Sequence, residues 1–123
     1  MPSILVVDDS PTMRKMIMAA ARPLNATFGE AGNGLEAIEQ LALQVYDVIT
    51  LDLNMPDMHG LEFIKFARSH STYRNIPIVV VSTRGDSESK KAAMEDGATI
   101  YLSKPFSPAQ LVNALNDLLQ KGG

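Results

Sequence analysis

The chain contains no cysteine, no tryptophan and no long hydrophobic run, and its basic residues do not outnumber its acidic ones. Without cysteine it can form neither a disulfide framework nor a thiolate metal site, which fits an intracellular protein. Its 11 basic and 14 acidic residues give a formal charge of −3 with the two signs interspersed, so direct nucleic-acid binding is not indicated. No segment is apolar enough to insert into a membrane, and the start of the chain has no signal-peptide pattern. These absences predict a soluble cytoplasmic protein.

A length of 123 residues fits one domain built around one hydrophobic core. Five short apolar runs alternate with five segments of helical periodicity, and no linker, repeat or low-complexity stretch interrupts them. This alternation predicts an α/β fold in which a parallel sheet is covered by helices on both faces. We therefore expect a single domain over residues 1–123, without an output domain. The predicted strands are residues 4–7, 25–31, 48–51, 76–81 and 98–102, the second of them at a sheet edge because it contains Gly29.

The helix signals between these strands differ in strength. Ser10 as N-cap and Pro11 at the first helical position mark the start of the first helix, and Gly97 is a candidate C-terminal cap of the fourth. The fourth helix, Asp86 to Asp96, has little apolar content, so we expect it to be weakly held and comparatively mobile. The residues predicted to face the core from helices one, two, three and five are Met13, Met16, Ile17 and Ala20; Leu35, Ile38, Leu41 and Ala42; Leu61, Phe63, Ile64 and Ala67; and Leu111, Val112, Leu115, Leu118 and Leu119.

Polar side chains follow four of the apolar runs at the point where each run ends. Because the carboxyl ends of parallel strands meet at one edge of a sheet, we expect these side chains to converge there. Three carboxylates would repel one another, so Lys104, a divalent metal or both must neutralise them. Ligands that are all hard oxygens favour Mg²⁺ or Mn²⁺ over zinc. The residues concerned are Asp8, Asp9 and Ser10; Asp52; Ser82 and Thr83; and Lys104 and Pro105.

Each of these residues has a structural explanation when it is taken alone. The two adjacent aspartates could cap the first helix, the hydroxyl pair could begin the fourth, and the lysine could be a solvated strand end. Their occurrence together at four strand ends favours a chemical site.

With this set the chain resembles the receiver domain of two-component response regulators over essentially its whole length, and within that family the single-domain chemotaxis type. The resemblance implies a doubly wound, flavodoxin-like parallel sheet with strand order 2-1-3-4-5. The residues that carry it are Asp8 and Asp9 in the segment DDSPTMR; Asp52 with Met55, Pro56 and Gly60; Ser82; and Lys104, Pro105 and Phe106.

The resemblance assigns chemical roles to the strand ends. It implies that Asp52 accepts a phosphoryl group from the phosphohistidine of a histidine kinase. Lys104 would pair with one phosphoryl oxygen, and Ser82, placed by its spacing between Asp52 and Lys104, would donate its hydroxyl to another. The implied cofactor is Mg²⁺, with Mn²⁺ as a substitute. Its implied ligands are Asp8, Asp9, Asp52 and the backbone carbonyl of Asn54.

The resemblance also implies a switch that reports phosphorylation. Ser82 would move toward the phosphoryl group, Tyr101 would rotate inward, and the face made by helix four, strand five and helix five would change shape. The downstream partner would be a protein such as a motor switch or a phosphotransfer protein. The peptide bond between Lys104 and Pro105 is expected to be cis and to aim the lysine inward. The side chains expected to tune the lifetime of the phosphoryl group are Asn54, Thr83 and Arg84.

Several alternatives remain open at this stage. An aspartate-nucleophile phosphatase of the haloacid dehalogenase type would need a second aspartate where Asn54 stands. A flavodoxin would need a phosphate loop where Asp8 and Asp9 would repel phosphate, and a degenerate receiver would be a constitutive scaffold. Within the receiver interpretation, a phosphorelay intermediate or phosphate sink stands beside the chemotaxis type, and we expect a phosphoacceptor with self-phosphorylation and autodephosphorylation chemistry, not an enzyme. Tyr101 could simply pack against helix five, and His59 and His70 are expected to be exposed loop histidines.

Overall fold

A computed structural model describes residues 1–55, 58–83 and 87–122 of the chain. They form five strands and five main helices in strict alternation, as the sequence predicted, with a short 3-10 helix at Arg22–Leu24. Within the described residues no helix has the length and apolarity needed to cross a membrane. The strands are β1 (Ser3–Val7), β2 (Thr27–Ala31), β3 (Val48–Leu51), β4 (Ile78–Ser82) and β5 (Ile100–Ser103). The helices are α1 (Pro11–Ala20), α2 (Gly34–Leu43), α3 (Gly60–Ser69), α4 (Ser87–Asp96) and α5 (Pro108–Gly122).

The five strands form one parallel sheet in the order β2-β1-β3-β4-β5, which confirms the expected strand order and the edge position of β2. The register between the central strands pairs Val7 of β1 with Leu51 of β3. The next residue along each strand is an aspartate, and the backbone N–H of Asp52 donates to the carbonyl of Val7 at 3.0 Å. Asp8 and Asp52 therefore leave the sheet side by side at its carboxyl edge.

The sheet separates two hydrophobic clusters, because successive side chains of a strand point to opposite faces. In β3, Ile49 and Leu51 join a cluster that includes residues of α2, α3 and α4, whereas Val48 joins a second cluster with α1 and α5. The predicted leucine stripe of α5 is core, since Leu111 and Leu115 are fully buried. The site at the carboxyl edge thus rests on strands that are packed from both sides.

Local hydrogen bonds explain where the first two helices begin. The hydroxyl of Ser10 accepts from the backbone N–H of Met13 at 3.1 Å, which confirms the predicted N-cap of α1. At the start of α2, Asn33 accepts from the N–H of Glu36 at 2.8 Å, and the Glu36 carboxylate accepts from the N–H of Gly32 at 2.7 Å. Asn33 is thus the side-chain N-cap of α2, and Glu36 reaches back to the residue before the N-cap, so both hydrogen bonds fix the start of the helix.

Part of the predicted core face of the helices is wrong. Met16 is 55% exposed and Leu35 is 53% exposed, whereas the sequence pattern placed both toward the core. In α1 the sheet covers Ile17, and in α2 it covers Ala37 and Leu41, so the buried stripes are narrower than the apolar pattern. Ala42 is also exposed. A helix has about 3.6 residues per turn, so an apolar residue one position off the stripe lies at its solvent-facing rim.

Helix α4 is held by few apolar contacts. Ala93 is its buried residue in the described part of the chain, and Met94 is 40% exposed. At its C-terminal end Gly97 has a φ of 117°, so it has the predicted capping role in a conformation that favours glycine. The low burial agrees with the expectation of a weakly held helix, while its mobility stays a prediction.

The guanidinium of Arg68 in α3 fastens that same end of α4. Its Nε donates to the carbonyl of Gly97 at 2.9 Å, and its Nη1 donates to the carbonyls of Ile76 at 2.8 Å and Arg74 at 3.1 Å. Burial lowers the pKa of Arg68 from its ordinary value. One side chain thereby joins α3, the end of α4 and the segment that leads into β4.

β3 contains a buried hydroxyl group, that of Thr50. Thr50 is fully buried opposite Val6 and Val79, and its Oγ1 has no hydrogen-bond partner in the described part of the chain. We expect Thr50→Val to raise the free energy of unfolding by about 1 kcal/mol, because it removes an unpaired buried polar atom without changing the shape. Urea unfolding of the variant and the wild type measures the difference.

The matched control is Thr99→Val. The Thr99 hydroxyl accepts from the backbone N–H of Ile78 at 3.0 Å, so the same change there is expected to lower the free energy of unfolding by about 1 kcal/mol. A loss of stability in Thr50→Val would show that its hydroxyl makes a favourable interaction.

Candidate functional site

The predicted site residues converge at the carboxyl edge of the sheet. Asp8 and Asp9 follow β1, Asp52 follows β3, Ser82 ends β4 and Lys104 follows β5. Each of the three aspartates offers a carboxylate oxygen, and these oxygens lie within 4.8 Å of one another. Asp8 and Asp52 are buried, whereas Asp9 is exposed. The cluster is therefore a pocket of negative charge that is open to solvent on the Asp9 side.

Lys104 supplies the positive charge of the cluster. Its Nζ lies 3.0 Å from Oδ2 of Asp8 and 3.9 Å from Oδ2 of Asp52, and its side chain is one-tenth exposed. Its backbone N–H donates to the carbonyl of Ser82 at 2.8 Å, which continues the pairing of β4 with β5. The peptide bond between Lys104 and Pro105 is cis, as predicted. The ammonium thus crosses from the strand at the sheet edge to the carboxylates at its centre.

The protonation of Asp52 reflects several opposing influences. Burial raises the pKa of Asp52 above its ordinary value, and the Lys104 ammonium lowers it in part. The Asp8 carboxylate raises the pKa, the backbone N–H of Asn54 at 3.3 Å lowers it, and Asp9 raises it slightly. The sum is a raised pKa, so the ionised form of Asp52 is less stable here than in water. An additional cation at the cluster would favour the ionised form.

Asp8 is held at every polar atom. Its Oδ1 accepts from the backbone N–H of Ser10 at 2.9 Å, its Oδ2 accepts from Lys104, and its own N–H donates to the carbonyl of Ala31 at 3.0 Å. Its carbonyl oxygen accepts from the guanidinium of Arg14 at 2.6 Å. No sequence signal singles out Arg14, which stands as the last residue of the segment DDSPTMR.

The donor set fits a hard divalent cation. Two buried carboxylates and one exposed carboxylate face a common point, and the described residues add no cysteine or histidine to the cluster. One ammonium stands against three carboxylates, so negative charge remains in excess. Carboxylate oxygens in this arrangement are the ligands that Mg²⁺ and Mn²⁺ prefer.

The remaining predicted site residues have different surroundings. Ser82 is fully buried at the end of β4, Thr83 beside it is exposed, and Asn54 is half-buried. Tyr101 is half-buried and packs against the cluster of α2, α3 and α4. The buried leucines of α5 belong to the other cluster. Arg84 lies outside the described residues.

The expectation that both histidines are exposed is wrong, although both lie just outside the ends of α3. His59 is the N-cap of α3, where its Nδ1 accepts from the N–H of Leu61 at 3.1 Å. His70 follows the last turn of α3, and its ring stacks on Tyr73 with the centroids 4.4 Å apart. Both are partly buried. Their roles are structural, at the two ends of one helix.

Gly60 sets the position of the chain after Asp52. Its N–H donates to the carbonyl of Leu53 at 3.0 Å, and a Cβ at Gly60 would lie 2.6 Å from Cα of Leu53 and 2.9 Å from the carbonyl oxygen of Asp52. Because these atoms belong to the backbone, the loop would have to move. We expect Gly60→Ala to lower the free energy of unfolding by about 2 kcal/mol in chemical denaturation.

Gly32→Ala is the control for this substitution. There the nearest atom to the added Cβ is Oε1 of Glu36 at 3.3 Å, the end of a flexible side chain. We expect its free energy of unfolding to change by about 0.5 kcal/mol or less. Equal losses in the two variants would contradict the proposed close approach at Gly60.

Comparisons with known proteins show which proteins this chain resembles. Residues 4–116 match the family model described as the response regulator receiver domain. The chain is 38% identical over 121 residues to a chemotaxis protein CheY homolog of Campylobacter jejuni, covering 97% of this chain and 93% of that one. It is 33% identical over 122 residues to the sensor histidine kinase CheAY of Helicobacter pylori, covering 98% of this chain but spanning only 15% of the kinase.

Solved structures show the same likeness. The structure of chemotaxis response regulator CheY4 of Vibrio cholerae superposes with a TM-score of 0.89 at 36% identity, covering 97% of this chain and 99% of that one. The receiver domain of Francisella response regulator 1452 gives a TM-score of 0.91 at 28% identity, and each chain is covered completely. A family match over nearly the whole chain and a relative matched along nearly its full length lead to one conclusion: the chain belongs to the response regulator receiver domain family.

Proposed function

We propose that this chain is a phosphorylation-activated signalling switch whose acceptor is Asp52. The observation that supports this proposal is the buried position of the Asp52 carboxylate. It lies beside the carboxylates of Asp8 and Asp9 and 3.9 Å from the Lys104 ammonium. In the proposed reaction an Asp52 oxygen attacks the phosphorus of a kinase phosphohistidine. The P–N bond breaks, and the leaving imidazole takes up a proton, so an acyl phosphate forms without a further reactant.

The proposed reaction needs cations because it adds negative charge to a site that is already negative. A phosphoryl group adds about −1.5 to −2 charges at neutral pH. Lys104 is held within 4 Å of two site carboxylates, so its ammonium can pair with a phosphoryl oxygen. When bound, Mg²⁺ would supply charge neutralisation at the phosphoryl oxygens. It would be held by Asp8, Asp9, Asp52 and the backbone carbonyl of Asn54, and Mn²⁺ could replace it.

The proposed response to phosphorylation starts at Ser82 and passes to Tyr101. Ser82 ends the strand next to β3, and its hydroxyl would donate to a phosphoryl oxygen. Tyr101 lies opposite Val80 in the neighbouring strand and would turn inward, while Asn54, Thr83 and Arg84 would tune the phosphoryl lifetime. The face of α4, β5 and α5 would then change shape. A nearly complete shift between two such states takes roughly 5 kcal/mol of differential stabilisation, which a few charge-assisted hydrogen bonds can supply.

The proposed partners are a histidine kinase that donates the phosphoryl group and a downstream protein bound through the α4-β5-α5 face. The names of the relatives support a chemotaxis role. The proposal places this role in the cytoplasm, with a motor switch as the type of target. A phosphorelay intermediate or a phosphate sink would use the same acceptor chemistry. Asn54 stands where a phosphatase of the haloacid dehalogenase type would need its second aspartate, which supports a phosphoacceptor over an enzyme.

Incubation with acetyl phosphate, with and without Mg²⁺, tests the proposal. Intact-mass measurement should show a gain of one phosphoryl group that depends on Mg²⁺, and peptide mapping after reductive trapping should place it on Asp52. A gain at another residue would refute the assignment, and steady release of product from an aryl phosphate would favour the phosphatase alternative.

A further inference from the structure

The side chain of Arg14 bridges two elements beside the acidic cluster. From α1, its Nη1 donates to the carbonyl of Asp8 at 2.6 Å, and its Nε donates to Oε1 of Glu30 on β2 at 2.9 Å. The Arg14 side chain is 17% exposed and that of Glu30 is 46% exposed. Charge-assisted hydrogen bonds of this length are the stronger kind, so the guanidinium holds a defined position over the loop after β1.

The carbonyl that Arg14 binds belongs to the peptide unit between Asp8 and Asp9. A peptide unit is planar, so fixing its oxygen fixes the plane in which the Cα of Asp9 lies. The other polar atoms of Asp8 are held by Ser10, Lys104 and the strand pairing. Arg14 completes this set and so helps to fix the peptide plane from which Asp9 extends.

We propose that Arg14 is a positioning residue for divalent-cation binding: it holds the Asp8–Asp9 peptide so that Asp9 can serve as a ligand together with Asp8 and Asp52. The inference rests on the proposed function, because it concerns the cation of that same site. Arginine suits the task since its rigid fork reaches a carbonyl and a carboxylate at once, whereas lysine offers a single point of attachment.

Charge alone predicts the opposite effect. A guanidinium near a cation site repels the cation, so removal of its charge would tighten cation binding. Removal of a group that orients a metal ligand weakens binding, commonly 10-fold to 100-fold. The direction of the change in Arg14→Met therefore separates positioning from simple electrostatics.

Binding of Mn²⁺ to the full chain, followed by the electron paramagnetic resonance signal of the free ion, gives the measurement without any phosphoryl transfer. We expect Arg14→Met to raise the Mn²⁺ dissociation constant about tenfold. Lys15→Met removes the same charge from the next residue, which is exposed, and should leave the constant unchanged or slightly lower. Arg14→Lys should restore part of the affinity, and Glu30→Gln should lose part of it.

A double-mutant cycle with Asp9→Asn makes the test specific. If Arg14 acts through Asp9, Arg14→Met should weaken Mn²⁺ binding much less in the Asp9→Asn background than in the wild type. Equal effects in both backgrounds, or unchanged or tighter binding in Arg14→Met, would overturn the inference and leave the cation site standing. A wild type without saturable Mn²⁺ binding would instead overturn the cation site on which the proposed function depends.

Discussion

Asp52→Asn is expected to abolish the Mg²⁺-dependent phosphoryl gain while raising the free energy of unfolding at neutral pH. An amide has no anionic oxygen with which to attack phosphorus, so the phosphorylated mass should be absent. The gain in stability follows from the raised pKa of Asp52, of which burial is the largest cause and the Lys104 ammonium only a partial offset. A neutral amide of similar shape avoids that cost, and we expect a gain of about 1 kcal/mol, typical of substitutions that relieve a destabilised functional site. Lys104 keeps its closer partner, Asp8, in the variant.

The pH dependence of this gain has a defined sign. Because the folded-state pKa of Asp52 lies above the unfolded value, the folded wild type retains its proton to higher pH than the unfolded chain does. The wild type therefore loses stability relative to Asp52→Asn as pH rises from about 3.9, the unfolded value, through the folded pKa. Below that window the two proteins should be equally stable.

Chemical denaturation in EDTA across this pH range measures the difference, since a divalent cation would mask it. Asp117→Asn is the control, because Asp117 is exposed on α5 and its change should shift the free energy of unfolding by about 0.5 kcal/mol or less. A destabilised Asp52→Asn at neutral pH would mean that attraction to Lys104 outweighs burial.

Lys104→Met is expected to lower the free energy of unfolding by about 3 kcal/mol at neutral pH in EDTA. The variant leaves Asp8, which is 2% exposed, without the ammonium that lies 3.0 Å from its carboxylate. An unpaired buried charge costs more than the pair contributes, so this loss should exceed that of any surface lysine.

A divalent cation should recover part of this loss, because it replaces the missing positive charge. Ligand at 100 times its dissociation constant stabilises the folded state by about 2.7 kcal/mol. Lys65→Met is the control: its Nζ lies 4.0 Å from Asp96, its side chain is 68% exposed, and its contribution should stay below about 0.5 kcal/mol. If the Lys104→Met protein were as stable as the wild type in EDTA at neutral pH, the Lys104 ammonium would not be needed to neutralise the buried carboxylates of the cluster.

The site could be predicted because its residues follow a rule of sheet geometry. Asp8, Asp52 and Lys104 each stand directly after a strand whose apolar run is visible in the sequence, and parallel strands deliver such residues to one edge. The order of the strands came from the family resemblance, since alternation of strands and helices fits several windings. Local signals at Ser10 and Gly97 predicted a helix start and a helix end correctly, because each depends on a few neighbouring residues.

Features that depend on the third dimension could not be predicted in this way. Met16 and Leu35 fit a helical apolar pattern, but both are exposed. Which residues of such a pattern are buried depends on how the helix packs against the sheet. His59 caps α3 although histidine is not a preferred N-cap residue. Two of the partners of His70, Thr72 and Tyr73, come from the turn that follows. Arg14 donates to a backbone carbonyl, and every residue has such an acceptor. The side chains in the sequence therefore give no indication of this hydrogen bond.

Arg68 holds the C-terminal end of α4, so a movement of this helix that keeps the attachment is a rotation about that end. The bond from Arg68 to the Gly97 carbonyl lies at one end of a helix of 10 residues, which is about 15 Å long. A motion that keeps this bond is a rotation about that end, and a turn of about 10° would carry Ser87 at the other end through roughly 2.5 Å. The same guanidinium also donates to the carbonyl of Ile76, just before β4. The end of α4 about which the helix would rotate is therefore attached to the strand that ends at Ser82. A displacement too small to disturb the core could thus become a larger one at Ser87.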